Sequence, residues 1–201
     1  MQSKIINPTI YNERGVTSIL ELTALTFLLW FSAMSTTTTS NPRHLVAIDL
    51  ENLAGTPYVS PDWAKDIGPF LTSLLHLQVE DLVYVAGSPS NGMAVCTVAG
   101  DLHGQARTKR GKNGADLVLL DALETIPESA LSSPYAPIDV VVIASGDGIF
   151  TRVARRFRDQ GLTVVGVSRR RSMHRALAAA CTRVVYLDDP TTDDDALALA
   201  A

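Results

Sequence analysis

Residues 138–148 read Ile138-Asp-Val-Val-Val-Ile-Ala-Ser-Gly-Asp-Gly148, the most informative stretch of the sequence for its architecture. The run from Ile138 to Ala144 has the composition of a strand that is buried on both faces, as strands of parallel sheets are. The Ser-Gly-Asp-Gly segment that follows predicts a turn, which places Asp147 just past the carboxyl end of the strand. A helix is predicted from Ile149 to Gln160, and Gly161 suits the left-handed residue that often follows a helix.

The alternation of apolar strands with helices continues on both sides of this stretch. Further strands are predicted at His44–Ile48, Asp81–Ala86, Gln105–Thr108, Leu162–Val167 and Arg183–Leu187. Further helices are predicted from Pro61 (with Ser60 as N-cap) to about Leu77, with a disturbance at Gly68-Pro69, and at Met93–Val98, Ala115–Ile126 and Ser172–Cys181, while 127–137 is predicted to be a loop. Strands and helices that alternate in this way predict a doubly wound α/β domain with a parallel sheet and right-handed crossovers.

Three aspartates stand where such a fold binds its ligands. Asp49 and Asp147 each follow a buried strand, and Asp116 begins a helix after a basic loop. Ligands of open α/β sheets bind at the carboxyl edge, where carboxylates placed close together raise one another's pKa unless a cation compensates. Mg²⁺ or Mn²⁺, which prefer carboxylate oxygen, would do so. Each acid alone fits a turn or helix cap, but three together, with Asn52 and Ser145 beside two of them, favour a metal site.

Three segments, taken in order, resemble the successive motifs of the NYN domain family, which belongs to the PIN-like nuclease superfamily. They are Ile48-Asp49-Leu50-Glu51-Asn52-Leu53, then Gly114-Ala115-Asp116-Leu-Val-Leu-Leu-Asp121-Ala-Leu123, then Ser145-Gly146-Asp147-Gly148-Ile149-Phe150. The resemblance covers about His44 to Asp188. It implies a PIN-like three-layer α/β/α domain with a mainly parallel central sheet.

The resemblance also implies a metal-dependent ribonuclease, most simply an endonuclease, that hydrolyses RNA phosphodiester bonds with Mg²⁺ or Mn²⁺ as cofactor. Asp49, Asp116 and Asp147 match by position the family's metal-binding, catalytic acids. Asn52 matches its asparagine after the first strand, and Ser145 stands beside the last acid as a supporting residue. RNA is therefore the expected partner.

One position departs from the family pattern. The family commonly has a further Asp two residues after the Ser-Gly-Asp aspartate, and this sequence has Ile149 there. An inactive RNA-binding variant on the same fold therefore stays open, as does the choice between one metal ion and two. Glu51 is expected to act as an outer supporting group. Asp121 lies about 140° round the helix from Asp116, so it is not expected to share the metal.

Basic residues cluster beside the predicted site. The loop before Asp116 carries one group, and the strand after Asp147 is followed by the other, on the same edge of a parallel sheet. Such side chains would hold a phosphate backbone without reading its sequence, although a solvated surface is the alternative interpretation. The predicted RNA-binding residues are Lys109, Arg110, Lys112, Arg169, Arg170 and Arg171.

Charge and cysteine content are compatible with this assignment. The formal net charge is −4, but it becomes +1 without the five acids from Asp188 to Asp195, so the body of the chain permits a polyanionic partner. Cys96 and Cys181 have no metal or redox spacing, which favours a reducing, cytoplasmic setting. A metal-dependent phosphatase or nucleotide hydrolase is disfavoured, because the chain has neither a P-loop nor an Asp-x-Asp pair at Asp49.

The two ends of the chain differ from the domain at 43–188. Residues 1–42 form a leader whose apolar run, Leu20 to Met34, fits a short membrane segment, a signal sequence, or a segment before a true start at Met34, which we favour. No stable membrane association is expected, and a homodimer is one oligomeric state left open. The acidic tail, 189–201, is predicted to be disordered, and its last residues, Leu199-Ala200-Ala201, resemble a bacterial degradation tag.

Overall fold

Six strands and seven α-helices alternate along residues 42–133 and 137–188, the part of the chain that the computed structural model describes. The strands are β1 (His44–Asp49), β2 (Leu82–Gly87), β3 (Gln105–Thr108), β4 (Val140–Ala144), β5 (Thr163–Ser168) and β6 (Arg183–Tyr186). The α-helices are α1 (Leu50–Ala54), α2 (Pro61–Leu75), α3 (Gly92–Asp101), α4 (Gly114–Glu124), α5 (Glu128–Leu131), α6 (Thr151–Asp159) and α7 (Arg175–Ala180). None of these helices has the length and hydropathy needed to cross a bilayer. The expectations for the leader before residue 42 and for the acidic tail lie outside the described residues.

All six strands are parallel, in the order β3-β2-β1-β4-β5-β6. The chain moves outward from β1 in one direction to β2 and β3, then returns to the other side of β1 for β4, β5 and β6. The strand order therefore reverses between β1 and β4, which is the point where ligands bind in sheets of this kind. The predicted PIN-like three-layer α/β/α fold is confirmed.

Side chains of the central strand alternate between two apolar cores. Val46 and Ile48 face the side of the sheet covered by α1, α2 and α3, while Leu45 and Ala47 face the side covered by α4, α6 and α7. This is the two-residue period of a strand, and burial on both faces explains why β1 is apolar throughout. The sheet is thus held between two helical layers.

Helix α2 differs from its prediction. Ser60 caps its first turn by accepting from the Trp63 backbone N–H at 3.2 Å, as expected. The predicted disturbance at Gly68-Pro69 is wrong, because the helix continues through both residues to Leu75. Gly68 allows α3 to approach closely, since a Cβ there would lie 2.8 Å from the Cβ of Asp101. Burial of the α2–α3 contact outweighs the hydrogen bond that the proline cannot donate.

Several shorter elements also differ from the predictions. Helix α1 was not predicted, because five residues are too few to show a helical period. The segment 127–137, predicted as a loop, contains α5. The helix after β4 begins as a 3-10 turn at Gly148–Phe150 before α6, and α7 is shorter than the predicted helix at 172–181. Gly161 has a left-handed φ of 86°, as its position after a helix predicts.

Candidate metal centre at the carboxyl edge of the sheet

The ends of β1 and β4 are joined by a short hydrogen-bonded network. Ile48 pairs with Ala144 in the last register position, so Asp49 and Ser145 leave the sheet side by side. The Ser145 hydroxyl donates to Asp49 Oδ2 at 3.5 Å and accepts from the Asp147 backbone N–H at 3.2 Å. The two sequence motifs are therefore linked through one buried serine.

A second link between the motifs comes from Asn52. Its side-chain oxygen accepts from the Gly146 backbone N–H at 2.8 Å, across 94 residues of sequence. Asn52 also donates its own backbone N–H to Asp49 Oδ1 at 3.2 Å, which caps α1. Asn52 thus fixes the turn after β1 to the turn after β4.

The two strand-end aspartates also serve as caps. Asp49 caps α1 with Oδ1, and Asp147 caps the following 3-10 turn by accepting from the Ile149 N–H at 2.9 Å. The local interpretation of each aspartate as a cap is therefore correct. A cap occupies one oxygen of each carboxylate. The second oxygen of Asp49 has only the long contact of 3.5 Å with Ser145, so it can still take part in the site.

Asp116 reaches Asp49 from the first turn of α4. The close turn before it requires Gly114, because a Cβ there would lie 2.3 Å from the carbonyl oxygen of Lys109. Asp49 and Asp116 are 6% and 7% exposed, and their carboxyl groups lie within reach of a shared hydrogen bond. Two acids are thus brought together away from water.

Burial and like charge raise the pKa of both acids. Burial, followed by the charge of Asp116, raises the pKa of Asp49 from 3.8 to about 7. Burial is the largest cause that raises the pKa of Asp116. A hydrogen bond with Asp49 lowers this pKa, and the charge of Asp147 raises it again. Two ionised carboxylates in this position repel each other, and a bound cation would relieve the repulsion.

The donor chemistry of these residues fits a hard divalent cation. Oδ1 of Asp116 is buried and has no hydrogen-bond partner among the described residues. The atoms of the neighbouring acids that could coordinate a metal are all oxygens. Within residues 42–133 and 137–188, however, no three His, Cys, Asp or Glu side chains converge closely enough to chelate an ion. The structure brings Asp49 and Asp116 together, and the charge of Asp147 also acts on Asp116. The backbone N–H of Asp147 is linked to Asp49 through Ser145.

Glu51 takes part in a separate set of contacts next to the acids. Its Oε1 accepts from the backbone N–H of Ser88 at 2.7 Å and from the side-chain amide of Asn91 at 2.6 Å. These bonds join the start of α1 to the segment after β2. The charge of Glu51 also contributes to the raised pKa of Asp49 and Asp116, so it lies close enough to influence both.

The glycines of the Ser-Gly-Asp-Gly segment allow the chain before α7 to pass close to the site. A Cβ at Gly146 would lie 2.2 Å from the Ser172 carbonyl oxygen, and one at Gly148 would lie 2.8 Å from the ring of His174. The His174 backbone N–H donates to the Gly146 carbonyl at 2.8 Å. The ring Nδ1 of His174 accepts from the Ala176 backbone N–H and so caps α7. The sequence motif alone gave no sign of this contact.

The predicted basic residues lie on both sides of the acids. Lys109, Arg110 and Lys112 follow β3, and Arg169, Arg170 and Arg171 follow β5. Each of these strands is two positions from β1, which places it about 10 Å away at the usual strand spacing. The acids are thus flanked by positive charge at both ends of one sheet edge.

The three consecutive arginines after β5 differ in their contacts. Arg169 is half-buried, and its Nε donates to the carbonyl of Leu53 at 3.0 Å, which ties β5 to the end of α1. Arg170 stacks over the ring of Tyr186 at 4.1 Å. Arg171 is exposed. Long-range contacts therefore give Arg169 a structural role that the sequence did not indicate.

Two positions within the motifs, Ile149 and Asp121, take no part in the acidic site. Ile149 is half-buried and packs against the apolar core under α4 and α6. Asp121 is exposed on α4, as its angular separation from Asp116 predicts.

The comparisons with known proteins agree with this architecture. A family model described as the NYN domain matches residues 45–188. Among solved structures, the chain is similar to a protein of unknown function from Vibrio parahaemolyticus, with a TM-score of 0.51 and 21% sequence identity over 74% of this chain and 94% of that one. That likeness concerns the fold alone. A search of curated proteins found no match. Because the family model covers most of the chain, and its three motifs meet at one edge of the sheet, this protein belongs to the NYN domain family.

Proposed function

We propose that this protein is a metal-dependent ribonuclease that cleaves phosphodiester bonds within RNA. The observation that carries the proposal is the pair of buried acids, Asp49 and Asp116, at the point where the strand order reverses. A protein gains no stability from two desolvated carboxylates whose pKa values are both raised by burial and neighbouring charge. Such a pair is typical of functional sites, where perturbed carboxylates bind a cation or transfer a proton.

The residues of the site have distinct parts in this proposal. Asp49 and Asp116 would hold Mg²⁺ or Mn²⁺, and Asp147 would complete the acidic set from the turn after β4. When bound, the cation supplies neutralisation of charge at the scissile phosphate and activation of the attacking water. Ser145 and Asn52 keep the acids in register, because their hydrogen bonds join the two strand ends.

Substrate binding would depend on the basic residues that flank the acids. The side chains of Lys109, Arg110 and Lys112 are exposed on one side, and those of Arg170 and Arg171 on the other. Contacts of this kind bind phosphates whatever the base sequence, so they support a nucleic-acid substrate and predict weak sequence preference.

A cleavage assay tests the proposal. The purified full-length chain is incubated with single-stranded and structured RNA in Mn²⁺, Mg²⁺ or a chelator. We expect cleavage only with metal, and a loss of roughly a thousandfold or more in Asp49→Asn and Asp147→Asn, because each removes a charge needed in the transition state. Asp121→Asn is the matched control, since it removes an exposed acid from the same helix that carries Asp116. Wild-type cleavage by either site variant would refute the assignment.

A specific observation favours one alternative, a non-catalytic RNA-binding module. Ile149 occupies a position where the family commonly has an acid, and its side chain packs into the core rather than extending the acidic set. RNA binding with no cleavage in Mn²⁺ or Mg²⁺ would favour this alternative. The substitution Ile149→Asp would then be expected to add activity to the existing acids.

A further inference from the structure

A groove of about 660 Å³ runs along one side of α6 and begins beside the acidic site. Gly148 and Ile149 line its first part, and they follow Asp147 directly in the sequence. At about 1.5 Å per helical residue, the stretch from Gly148 to Gln160 is about 18 Å long. One strand of a nucleic-acid helix carries a phosphate about every 3.4 Å along the helix axis, so the groove is several phosphates long. A chain of nucleotides leaving the site could therefore contact it at more than one position.

Three arginines form the wall of this groove, with one acid near its far end. Arg152, Arg155 and Arg156 line it together with Asp159. Arg152 is paired with Glu124. Arg156 donates to the carbonyl oxygen of Leu123 at 2.9 Å, and its guanidinium stacks over a neighbouring ring. The wall keeps a net positive charge even after these pairings are counted.

Arg155 differs from its two neighbours. It is exposed, and the described part of the chain provides it with no hydrogen bond or ion pair, although Arg152 and Arg156 both have partners. Those two are fixed in place by α4, and they lie one turn apart or less on either side of Arg155. The exposed guanidinium of Arg155, with the fixed guanidinium groups of Arg152 and Arg156 beside it, forms a surface that can bind the phosphates of a nucleic-acid backbone.

We infer that this groove binds the phosphate backbone of the RNA strand that enters the acidic site, with Arg155 as its principal contact. The inference rests on the proposed ribonuclease function and adds the direction in which the bound strand leaves the site, along α6 rather than only across the sheet edge. It also assigns a role to α6, which the three sequence motifs do not include.

An RNA-binding assay tests this inference without cleavage. The binding of a labelled single-stranded RNA by the full-length chain is measured by fluorescence anisotropy, in chelator and over a range of KCl concentrations. Arg155→Ala should weaken binding about fivefold near 0.1 M salt and reduce the slope of log affinity against log salt by about 0.7, the value for one phosphate of a single strand. Arg158→Ala is the matched control, because Arg158 is on the same helix but donates to the Ala179 carbonyl, away from the groove. It should leave affinity and slope unchanged.

The other outcomes separate the groove from the proposed function. If Arg155→Ala binds RNA with wild-type affinity and salt slope, the groove is not a binding surface, while the ribonuclease assignment stands. If both arginine variants weaken binding equally, the effect is one of overall charge, and the groove assignment fails. A wild-type chain that binds no RNA in this assay overturns the groove assignment, and the cleavage assay with metal then decides the ribonuclease proposal separately. In the cleavage assay, Arg155→Ala should raise KM and leave kcat unchanged.

Discussion

Two buried aspartates at opposite edges of the sheet have opposite surroundings. Asp81, at the amino edge, and Asp49, at the carboxyl edge, are each 6% exposed. Asp81 accepts from the His44 backbone N–H and the Gln78 backbone N–H, both at 2.7 Å, and its Oδ2 lies 3.1 Å from the ring of His44. Asp49 accepts from the Asn52 backbone N–H at 3.2 Å and from the Ser145 hydroxyl at 3.5 Å, but it also faces a second acid, Asp116. The two carboxyl groups are therefore equally buried, but Asp81 is surrounded by hydrogen-bond donors and Asp49 is repelled by a second acid.

The pKa values of the two groups follow their partners. Burial alone would raise the pKa of Asp81, but the hydrogen bonds from His44 and Gln78 outweigh it and hold that pKa below the usual 3.8. Burial of Asp49 is reinforced by a second acid, and its pKa rises to about 7. A buried acid that is fully paired stabilises the fold, and one that faces another acid is a candidate for function.

The largest effect on stability is expected from Asp81→Ala. The substitution removes the acceptor of the buried His44 backbone N–H, of the Gln78 backbone N–H and of the buried His44 imidazole. We therefore expect a loss of about 3 kcal/mol in the free energy of unfolding. Urea denaturation measures it. Asp49→Asn, which relieves repulsion, should lose little or none. A larger loss for Asp49→Asn than for Asp81→Ala would reverse the roles assigned to the two edges.

The pH dependence of stability should have opposite signs at the two edges. The pKa of Asp49 is raised in the folded state, so its contribution is present below pH 3.8 and is lost as pH rises towards 7. The pKa of Asp81 is lowered, so its contribution is present above pH 3.8 and is lost as pH falls below it. In metal-free buffer, Asp49→Asn should therefore gain stability relative to wild type as pH rises from 4 to 8. Parallel stability curves for wild type and Asp49→Asn would contradict the raised pKa.

Two arginines after β5 show the same contrast between a side chain that is tied to the fold and one that is exposed. Arg169 is tied to Leu53, so Arg169→Ala should cost about 1 kcal/mol of stability through the lost hydrogen bond and packing. Arg171 is exposed, and Arg171→Ala should leave the urea midpoint unchanged. Equal midpoints for the two variants would remove the structural role of Arg169.

The smallest effect concerns RNA binding by Arg171. Arg171→Ala should reduce the salt slope of binding by about 0.7 because one phosphate contact is lost. Arg169→Ala is the less suitable probe, since any change in binding could follow from movement of α1. An unchanged slope would assign Arg171 to the ordinary solvated surface.

The sequence predicted the parts of this protein that depend on local patterns. All six strands were predicted, and apolar runs identified every one except the short, exposed β3. The position of Asp49 and Asp147 after two of these runs predicted that both would reach the carboxyl edge. Motif order was enough to identify the family. These features can be predicted because a buried strand and its end are indicated by the pattern of consecutive residues.

The features that escaped prediction depend on contacts between distant residues. The pair formed by His44 and Asp81 spans 37 residues, and the bond from Arg169 to Leu53 spans 116. Neither has a local sequence signal. The same is true of Glu51, whose partners belong to the segment after β2. Sequence patterns located the acids, but the surrounding bonds decide which charges are paired.

Metal binding tests the central claim most directly, because it does not depend on the choice of RNA. Thermal unfolding is measured above pH 7 in chelator and in saturating Mn²⁺ for wild type, Asp116→Asn and Asp121→Asn. A ligand at about a hundred times its Kd adds about 2.7 kcal/mol to stability, so Mn²⁺ should raise the Tm of wild type and Asp121→Asn by several degrees. Asp116→Asn should show no such rise. If Mn²⁺ leaves the wild-type Tm unchanged, or stabilises Asp116→Asn equally, the buried acids do not form a metal site.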